Sequence, residues 1–186
     1  MTQDETIDGE DFADSRPFDD DLHGCQFLEC DFSDADLSDL LLEECRFENC
    51  NLSMASLSGA RLIDVAFEDC KLMGVDFAAC SDFGFSVSFA ACNLRYGSFS
   101  AKKMAGTDFG ASALAQVDFT HTDLEGADLS ECRLDDALFA STNLTGADLR
   151  GARNFTIDPE LNRIEGAKIS RDALAGLLTK YDLDID

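Results

Sequence analysis

A large apolar residue recurs at every fifth position through most of the chain, and this period limits the possible folds more than any other feature. An α-helix turns by about 100° per residue and would scatter such residues around its axis, whereas a flat strand requires a period of two. The period therefore predicts short extended segments separated by turns, wound into a coil around one internal column. The first run is Leu22, Phe27, Phe32, Leu37, Leu42, Phe47, Leu52, Leu57, Leu62, Phe67, Leu72 and Phe77. The second run is Phe89, Leu94, Phe99, Met104, Phe109, Leu114, Phe119, Leu124, Leu129, Leu134, Phe139, Leu144 and Leu149.

A small residue usually precedes each large one by two positions, and all eight cysteines lie at this small position. Side chains two apart in an extended segment point the same way, so both are predicted to face the core. Stacked cysteines would have parallel Cβ vectors, which is poor disulfide geometry, and the chain has no Cys-x-x-Cys. The cysteines are therefore predicted to be core filler, with no metal and no cofactor. They are Cys25, Cys30, Cys45, Cys50, Cys70, Cys80, Cys92 and Cys132.

The period breaks once inside the rod. Phe77 and Phe89 are twelve residues apart instead of ten, so residues 78–88 are predicted to form an irregular unit. It is interpreted as a bulge or small outward loop, and a functional loop is the alternative. Lys102 lies at an inward small position. It is predicted either to snorkel to the surface or to mark a local distortion.

Beyond Leu149 the period ends and helix signals follow. Asp158-Pro159 and Ser170 are typical of helix starts, and residues 171–180 are predicted to form an amphipathic helix before a short final strand. A solenoid end needs a cap. The division predicted is an acidic N-terminal segment at 1–17, a β-helix at 18–152, and a C-terminal cap and dimerisation module at 153–186. The predicted dimer interface consists of Leu174, Leu177, Leu178, Tyr181, Leu183 and Ile185.

The unit itself, a small residue followed by Asp or Asn, Leu or Phe, and two further residues, resembles that of the pentapeptide-repeat family. Ala-Asp-Leu-Ser-Glu, Ala-Asp-Leu-Arg-Gly and Cys-Asp-Phe-Ser-Asp are nearly ideal copies. The resemblance implies an all-β solenoid: a right-handed quadrilateral β-helix with four units per coil, closed here by a short α-helical C-terminal cap. Residues 20 apart should then stack at the spacing of neighbouring strands, ~4.8 Å.

The chain is strongly acidic, with a formal net charge of −24. Residues 1–94 hold 22 acidic and 4 basic residues, so the negative charge concentrates in the N-terminal half. Nucleic acids and anionic membranes attract basic surfaces, and direct binding to either is not expected. A basic protein partner is expected instead, and a merely solubilising charge is the alternative. The predicted partner-binding acidic surface comprises Asp21, Glu29, Asp34, Asp39, Glu43, Glu44, Glu48, Asp64, Glu68 and Asp69.

Within the family, the chain resembles the branch that interacts with topoisomerases, which includes the Qnr-type quinolone-resistance proteins and the microcin-B immunity proteins. The length, the break near mid-rod and the tail Ile-Asp-Pro-Glu-Leu-Asn-Arg-Ile carry this likeness. It implies a homodimer through the C-terminal helix that imitates DNA and binds DNA gyrase or topoisomerase IV. Qnr proteins have longer projecting loops than the two-residue insertion here, which weakens the expectation of quinolone protection more than that of gyrase binding.

Two other function classes remain open from the residues alone. One is a structural or scaffold solenoid that binds another basic protein and has no topoisomerase role. The other is an enzyme, which is not expected because no nucleophile–base pair or phosphate-binding loop is recognisable. The N-terminus lacks the basic and apolar regions of a signal peptide, so the expected location is the cytoplasm.

Overall fold

The computed structural model describes residues 2–19 and 21–184 and shows a right-handed parallel β-solenoid. Two adjacent faces of the rod carry continuous parallel sheets. Face 1 has strand order β1-β3-β5-β7, and face 2 has strand order β2-β4-β6-β8-β9. The strands are β1 Thr2–Gln3, β2 Thr6–Asp8, β3 Leu22–His23, β4 Gln26–Leu28, β5 Leu41–Glu43, β6 Arg46–Glu48, β7 Arg61–Ile63, β8 Val65–Glu68 and β9 Val87–Ala90.

The other two faces are held by isolated parallel bridges. Face 3 contains the series that starts with Asp11, Asp31 and Asn51, and face 4 contains bridges such as Asp36 to Ser56. Partners on all four faces are 20 residues apart, as in Leu22 with Leu42, until the inserted unit is crossed. There the offset becomes 22, as in Val65 with Val87. The four-unit coil implied by the family resemblance is confirmed.

The core is the internal column predicted from the period. The large residues of both runs are buried, and so are all eight cysteines. Phenylalanines stack from coil to coil, with ring centroids 4.7 Å apart for Phe27 and Phe47 and 4.7 Å for Phe77 and Phe99. Rings on neighbouring faces meet edge to face, as Phe89 and Phe99 do at 72°. Stacked and T-shaped contacts are the favoured aromatic geometries, so one residue type can fill successive coils.

The turns explain part of the sequence that faces water. The second residue after each large one except Phe77 adopts a positive φ, as at Glu44 with 54° and Asp64 with 52°. Glycine, asparagine and aspartate tolerate this conformation best. Aspartate at these corners is therefore partly a requirement of the backbone. Glutamate is not favoured there, so Glu29 and Glu44 have no such explanation.

The β-helix extends beyond the predicted range of 18–152 at both ends. Residues 1–17 were predicted as a separate acidic segment, but β1 and β2 pair with β3 and β4 in the regular register. At the other end, parallel bridges join Asn143 to Arg163 and Asp148 to Lys168. The period alone missed these coils because an end coil is solvated on one side. Its large slots therefore tolerate irregular spacing, as between Phe12 and Phe18, whose rings lie 5.4 Å apart over the N-terminal end of the core.

The C-terminal cap is helical where predicted, but the helix type differs. Arg171–Leu177 and Thr179–Tyr181 are 3₁₀-helices. The Gly176 carbonyl accepts a hydrogen bond from the Ile157 N–H at 3.0 Å, which diverts it from the bond that an α-helix would form four residues on. Asp158-Pro159, predicted as a helix start, forms a turn in which Asp158 Oδ1 accepts from the Glu160 N–H at 2.9 Å.

Candidate functional site

The acidic side chains predicted from the sequence do not form one cluster. Eight of them flank faces 1 and 2 of the early coils, whereas Asp34 lies at the corner between faces 3 and 4, and Asp39 at the corner between faces 4 and 1. This division follows from the register, since every fifth residue moves to the next face. The eight are Asp21, Glu29, Glu43, Glu44, Glu48, Asp64, Glu68 and Asp69. We call these eight residues the acidic surface.

Sequence reasoning missed an extension of this surface at the N-terminal end. Asp8 of β2 pairs with Leu28, in the same ladder as Glu48 and Glu68. Asp4, at positive φ, lies in the turn after β1 and stacks beneath Gly24, three coils below Asp64. These residues were assigned to a segment outside the rod. The regular 20-residue offset from Gly24 and Leu28 could have placed them.

Several carboxylates of the acidic surface are partly neutralised. Arg46 forms ion pairs with Glu48, at 3.7 Å, and with Glu68. Because Glu48 and Glu68 are direct neighbours on parallel strands, Arg46 relieves the repulsion between two like charges.

Two weaker pairs lie on face 1. His23 Nδ1 is 3.5 Å from Glu43 Oε2, and Arg61 Nη2 is 3.8 Å from Asp21 Oδ2. Asp21 also accepts a hydrogen bond from the Leu41 N–H at 2.9 Å, so it partly serves the fold.

The remaining carboxylates are more available to a partner. Glu29, Glu44, Asp64 and Asp69 are exposed, and in the described residues none of them has an ion-pair partner. Asp64 accepts a hydrogen bond from Ser86 Oγ at 2.8 Å, which connects the acidic surface to the inserted unit. These four turn residues are therefore the best candidates for contacts with cationic groups of a partner.

The predicted dimer interface is only partly exposed. Leu174, Leu178, Tyr181 and Leu183 are exposed, with Leu183 at 56%. Leu177 instead packs against the core of its own rod and belongs to the cap. Ile185 lies outside the described residues. The C-terminal end thus has an apolar surface, and Leu177 helps to hold it in place.

The cap is attached to the rod by an ion-pair cluster. Lys180 Nζ lies 2.8 Å from Asp158 Oδ1 and 2.7 Å from Glu160 Oε2. The ammonium lowers the pKa of the Asp158 and Glu160 carboxyls, and the two carboxylates raise the pKa of Lys180. Tyr181 also donates its hydroxyl to Glu160 at 3.2 Å.

Catalytic and metal chemistry find no support in the described part of the chain. No group of three or more His, Cys, Asp or Glu side chains there is arranged to hold a metal ion. Burial raises the pKa of the Cys45 thiol to about 11, and those of Cys80 and Cys132 to about 12. These values keep the thiols protonated at neutral pH. Across the described ranges, no hydroxyl or thiol is hydrogen-bonded to the imidazole ring of a histidine.

A membrane-spanning helix is also absent from residues 2–19 and 21–184. The helical segments there are too short and too polar to cross a bilayer.

Comparison with known families supports the repeat directly. A family model described as a pentapeptide repeat region matches residues 20–83, and one described as pentapeptide repeats (8 copies) matches residues 118–153. Together they cover more than half of the chain. The chain belongs to the pentapeptide-repeat family. A search of curated protein sequences found no match.

Three solved structures of one pentapeptide-repeat protein resemble this chain along its whole length. They are of QnrB1, described as a plasmid-mediated fluoroquinolone resistance protein. A trypsin-treated variant is 21% identical, with a TM-score of 0.77 over 100% of this chain and 91% of that chain. A second trypsin-treated variant gives 20% identity and a TM-score of 0.65 over 100% and 99%. The full-length protein gives 20% identity and a TM-score of 0.58 over 97% and 99%. At this identity the likeness establishes the shared fold.

Proposed function

We propose that this pentapeptide-repeat protein is a non-enzymatic interaction protein whose acidic surface imitates DNA and binds a type II topoisomerase, DNA gyrase or topoisomerase IV. The observation that carries the proposal is the grouping of eight carboxylates beside faces 1 and 2 of a rigid rod. A protein surface that binds DNA is basic, so a rod with carboxylates on successive coils complements it. The resemblance to QnrB1, a fluoroquinolone resistance protein, supports this class of partner.

The charge pattern also favours a protein partner over nucleic acid or a membrane, because both of these carry negative charge. Complementary charge chiefly raises the rate of association and fixes the orientation of the partners. We therefore expect binding that is strong at low salt and weakens steeply as salt increases. The proposal includes a cytoplasmic location for this protein, because the topoisomerase acts on DNA there.

A supercoiling assay with purified gyrase, with and without a fluoroquinolone, tests the proposal. The acidic variant replaces Glu29 and Glu44 with Gln and Asp69 with Asn. Three surface charges at about 0.5 kcal/mol each should weaken binding by about tenfold at low salt. The loss of inhibition or protection should follow the loss of binding.

The chain supplies a matched control for this experiment. Glu131→Gln and Asp136→Asn remove charges at turn residues that also have positive φ, and Glu125→Gln removes an exposed third charge. This control should bind within about twofold of the unaltered protein. If the unaltered protein neither binds gyrase or topoisomerase IV at low salt nor changes their activity, the topoisomerase proposal is wrong. The scaffold alternative, with another basic partner, would then be preferred.

We further propose that the protein is a homodimer through its C-terminal end. The exposed Leu174, Leu178, Tyr181 and Leu183 form an apolar surface, which a second copy would cover. Two rods joined at this end would place their acidic N-terminal halves outermost. Such a dimer would offer two acidic surfaces to one dimeric partner.

A further inference from the structure

The series of backbone hydrogen bonds that joins successive coils on face 1 is interrupted at the inserted unit, residues 78–88. The Ser81 N–H donates to the Ala60 carbonyl at 2.8 Å and the Ser86 N–H donates to the Leu62 carbonyl at 2.9 Å. Residues 82–85 therefore depart from the regular register between these two hydrogen bonds, while Phe85 still packs against the core. We call residues 82–85 the inserted loop. Its tip is Phe83, which is 74% exposed.

The interruption lies above this loop, where the next coil should pair with it. At equivalent positions, the Ala60 carbonyl accepts from the Ser81 N–H and the Lys102 carbonyl accepts from the Asp123 N–H. The intervening carbonyl is that of Cys80, which by the shifted register should accept from the Lys103 N–H. Among the described backbone hydrogen bonds this one is missing. A groove of about 250 Å³ opens there between residues 85–88 and 103–108.

Lys102 supplies the missing donor from inside the rod. Its side chain points inward and the residue is only 2% exposed. Its Nζ donates to the Cys80 carbonyl at 2.5 Å and to Asp82 Oδ1 at 2.6 Å, and it lies 5.1 Å from the centre of the Phe85 ring. One ammonium thus contacts the coil below and both sides of the inserted loop. Its side chain stays buried and does not snorkel to the surface, and its position coincides with the local interruption of the hydrogen bonds between coils.

The same inward column shows what a regular coil requires. Thr122 and Thr142 donate their hydroxyls to the carbonyls of Phe99 and Phe119 at 2.8 Å, and Asn162 donates to the Phe139 carbonyl at 3.0 Å. A short polar side chain is sufficient in these coils. A buried lysine is costly unless its charge is fully paired, so its presence only where the ladder is broken calls for a specific explanation.

We propose that Lys102 is a positioning residue that holds the inserted loop in one conformation, with Phe83 projecting from face 1 beside the acidic surface. Its ammonium replaces the backbone hydrogen bond that the insertion removed. The loop and the lysine therefore depend on each other. Without the loop the lysine would be a buried charge without a partner, and without the lysine the loop would have no attachment to the next coil.

Because the loop and the lysine depend on each other, the effect of one substitution on stability should have opposite signs in chains with and without the insertion. Removing Asp82 and Gly84 leaves Phe83 five residues after Phe77 and five before Phe89, which restores the regular period. In this shortened chain, Lys102→Thr should stabilise the fold. The deletion removes the Asp82 carboxylate that pairs with the Lys102 ammonium, and the regular coil leaves no room for the long side chain. In the full-length chain, Lys102→Thr should destabilise the fold. Chemical denaturation measures both, and we expect at least about tenfold opposite changes in the unfolding equilibrium constant.

Hydrogen exchange of the full-length protein provides an independent measurement. Lys102→Thr should increase the exchange rates of the Phe83 and Ser86 amides by about tenfold or more, as expected for loss of a charged hydrogen bond. Thr122→Val, which removes the side-chain hydrogen bond made by the next residue of the same inward column, should leave these two rates unchanged. Equal destabilisation by Lys102→Thr in both chains, or unchanged exchange of both loop amides, would overturn the proposal.

Discussion

At the scale of single residues, the fold uses a few side-chain types in repeated slots. Phenylalanine suits the large slot because its rings stack between coils at 4.7–5.6 Å, close to the spacing of the strands. Cysteine suits the small slot because it is compact and its Sγ can donate weakly to a carbonyl of the coil below, as Cys50 does to Phe27 at 3.3 Å. Packing therefore accounts for the positions of the cysteines.

The first prediction concerns these thiols. All eight are buried, and burial raises the pKa of Cys45, Cys80 and Cys132 to about 11 or 12. Because all eight side chains are inaccessible in the folded rod, none should react with a disulfide reagent at the rate of an exposed thiol in the native protein. For Cys45, Cys80 and Cys132 the raised pKa further lowers the amount of thiolate, which is the reactive species. All eight should react in guanidinium chloride. A Ser58→Cys variant, with the new thiol at an exposed position, supplies the fast control, and rapid native reaction of the original thiols would contradict the packing interpretation.

At the scale of elements, the C-terminal cap is attached by few contacts. Ala173 and Leu177 pack on the end of the core, and a Cβ at Gly176 would collide with the Phe155 carbonyl and ring. Glycine therefore allows the helical backbone to approach closely enough to accept the Ile157 N–H. The ion pairs of Lys180 hold the same helix from the outside. The cap is thus an element whose attachment should depend on pH.

The second prediction gives the sign of that dependence. The folded-state pKa values of Asp158 and Glu160 are lowered by Lys180, so their contribution is present above their unfolded pKa values of about 4. It is lost as pH falls through the lower folded values. Amide exchange in 171–181, corrected for the intrinsic rate, should be constant from about pH 7 to 5 and accelerate below about pH 4.

Lys180→Met tests the cause of that acceleration. It should speed the exchange of the cap at neutral pH and remove most of the additional acceleration in acid. Lys103→Met removes an exposed lysine far along the rod and should change neither. A cap in the Lys180→Met protein that retains the original pH profile would show that the ion pairs do not hold it.

At the scale of the whole molecule, charge and apolar surface are separated along the rod. The acidic surface lies on the early coils of faces 1 and 2, and the exposed leucines of the cap lie at the C-terminal end. The inserted loop lies between them and is linked to the acidic surface through Ser86 and Asp64. This arrangement suits a protein that assembles at one end and binds a partner along its side.

The third prediction tests assembly. Leu174→Glu together with Leu178→Glu should convert the proposed dimer into a monomer, because two charges would be buried in an apolar interface. Light scattering at several concentrations measures the mass. Leu177 is left intact because it packs on its own rod. Met54→Glu, at a residue that is 61% exposed at mid-rod, is the control and should leave the mass unchanged. A dimer that persists in the double variant would refute this interface.

The repeat was enough to predict the inside of the rod. A five-residue period allows only one kind of backbone to bury its apolar residues, so the stacked large residues, the cysteines in the small slots and the break between Phe77 and Phe89 were all predictable. The physical reason is that the repeat is local: the small and large residues of each five-residue unit determine which side chains that unit buries. The family resemblance added the four-sided coil, which the period did not reveal.

Features that depend on contacts between coils became clear from the three-dimensional structure. It showed that Leu177 faces its own rod and that the cap consists of 3₁₀-helices. It also placed the Lys102 ammonium beneath the inserted loop, where the sequence left two alternatives open. These features depend on which residues meet across 20 or 22 positions of the sequence. A local repeat does not specify how the residues that break it, such as Lys102, pack against the neighbouring coils.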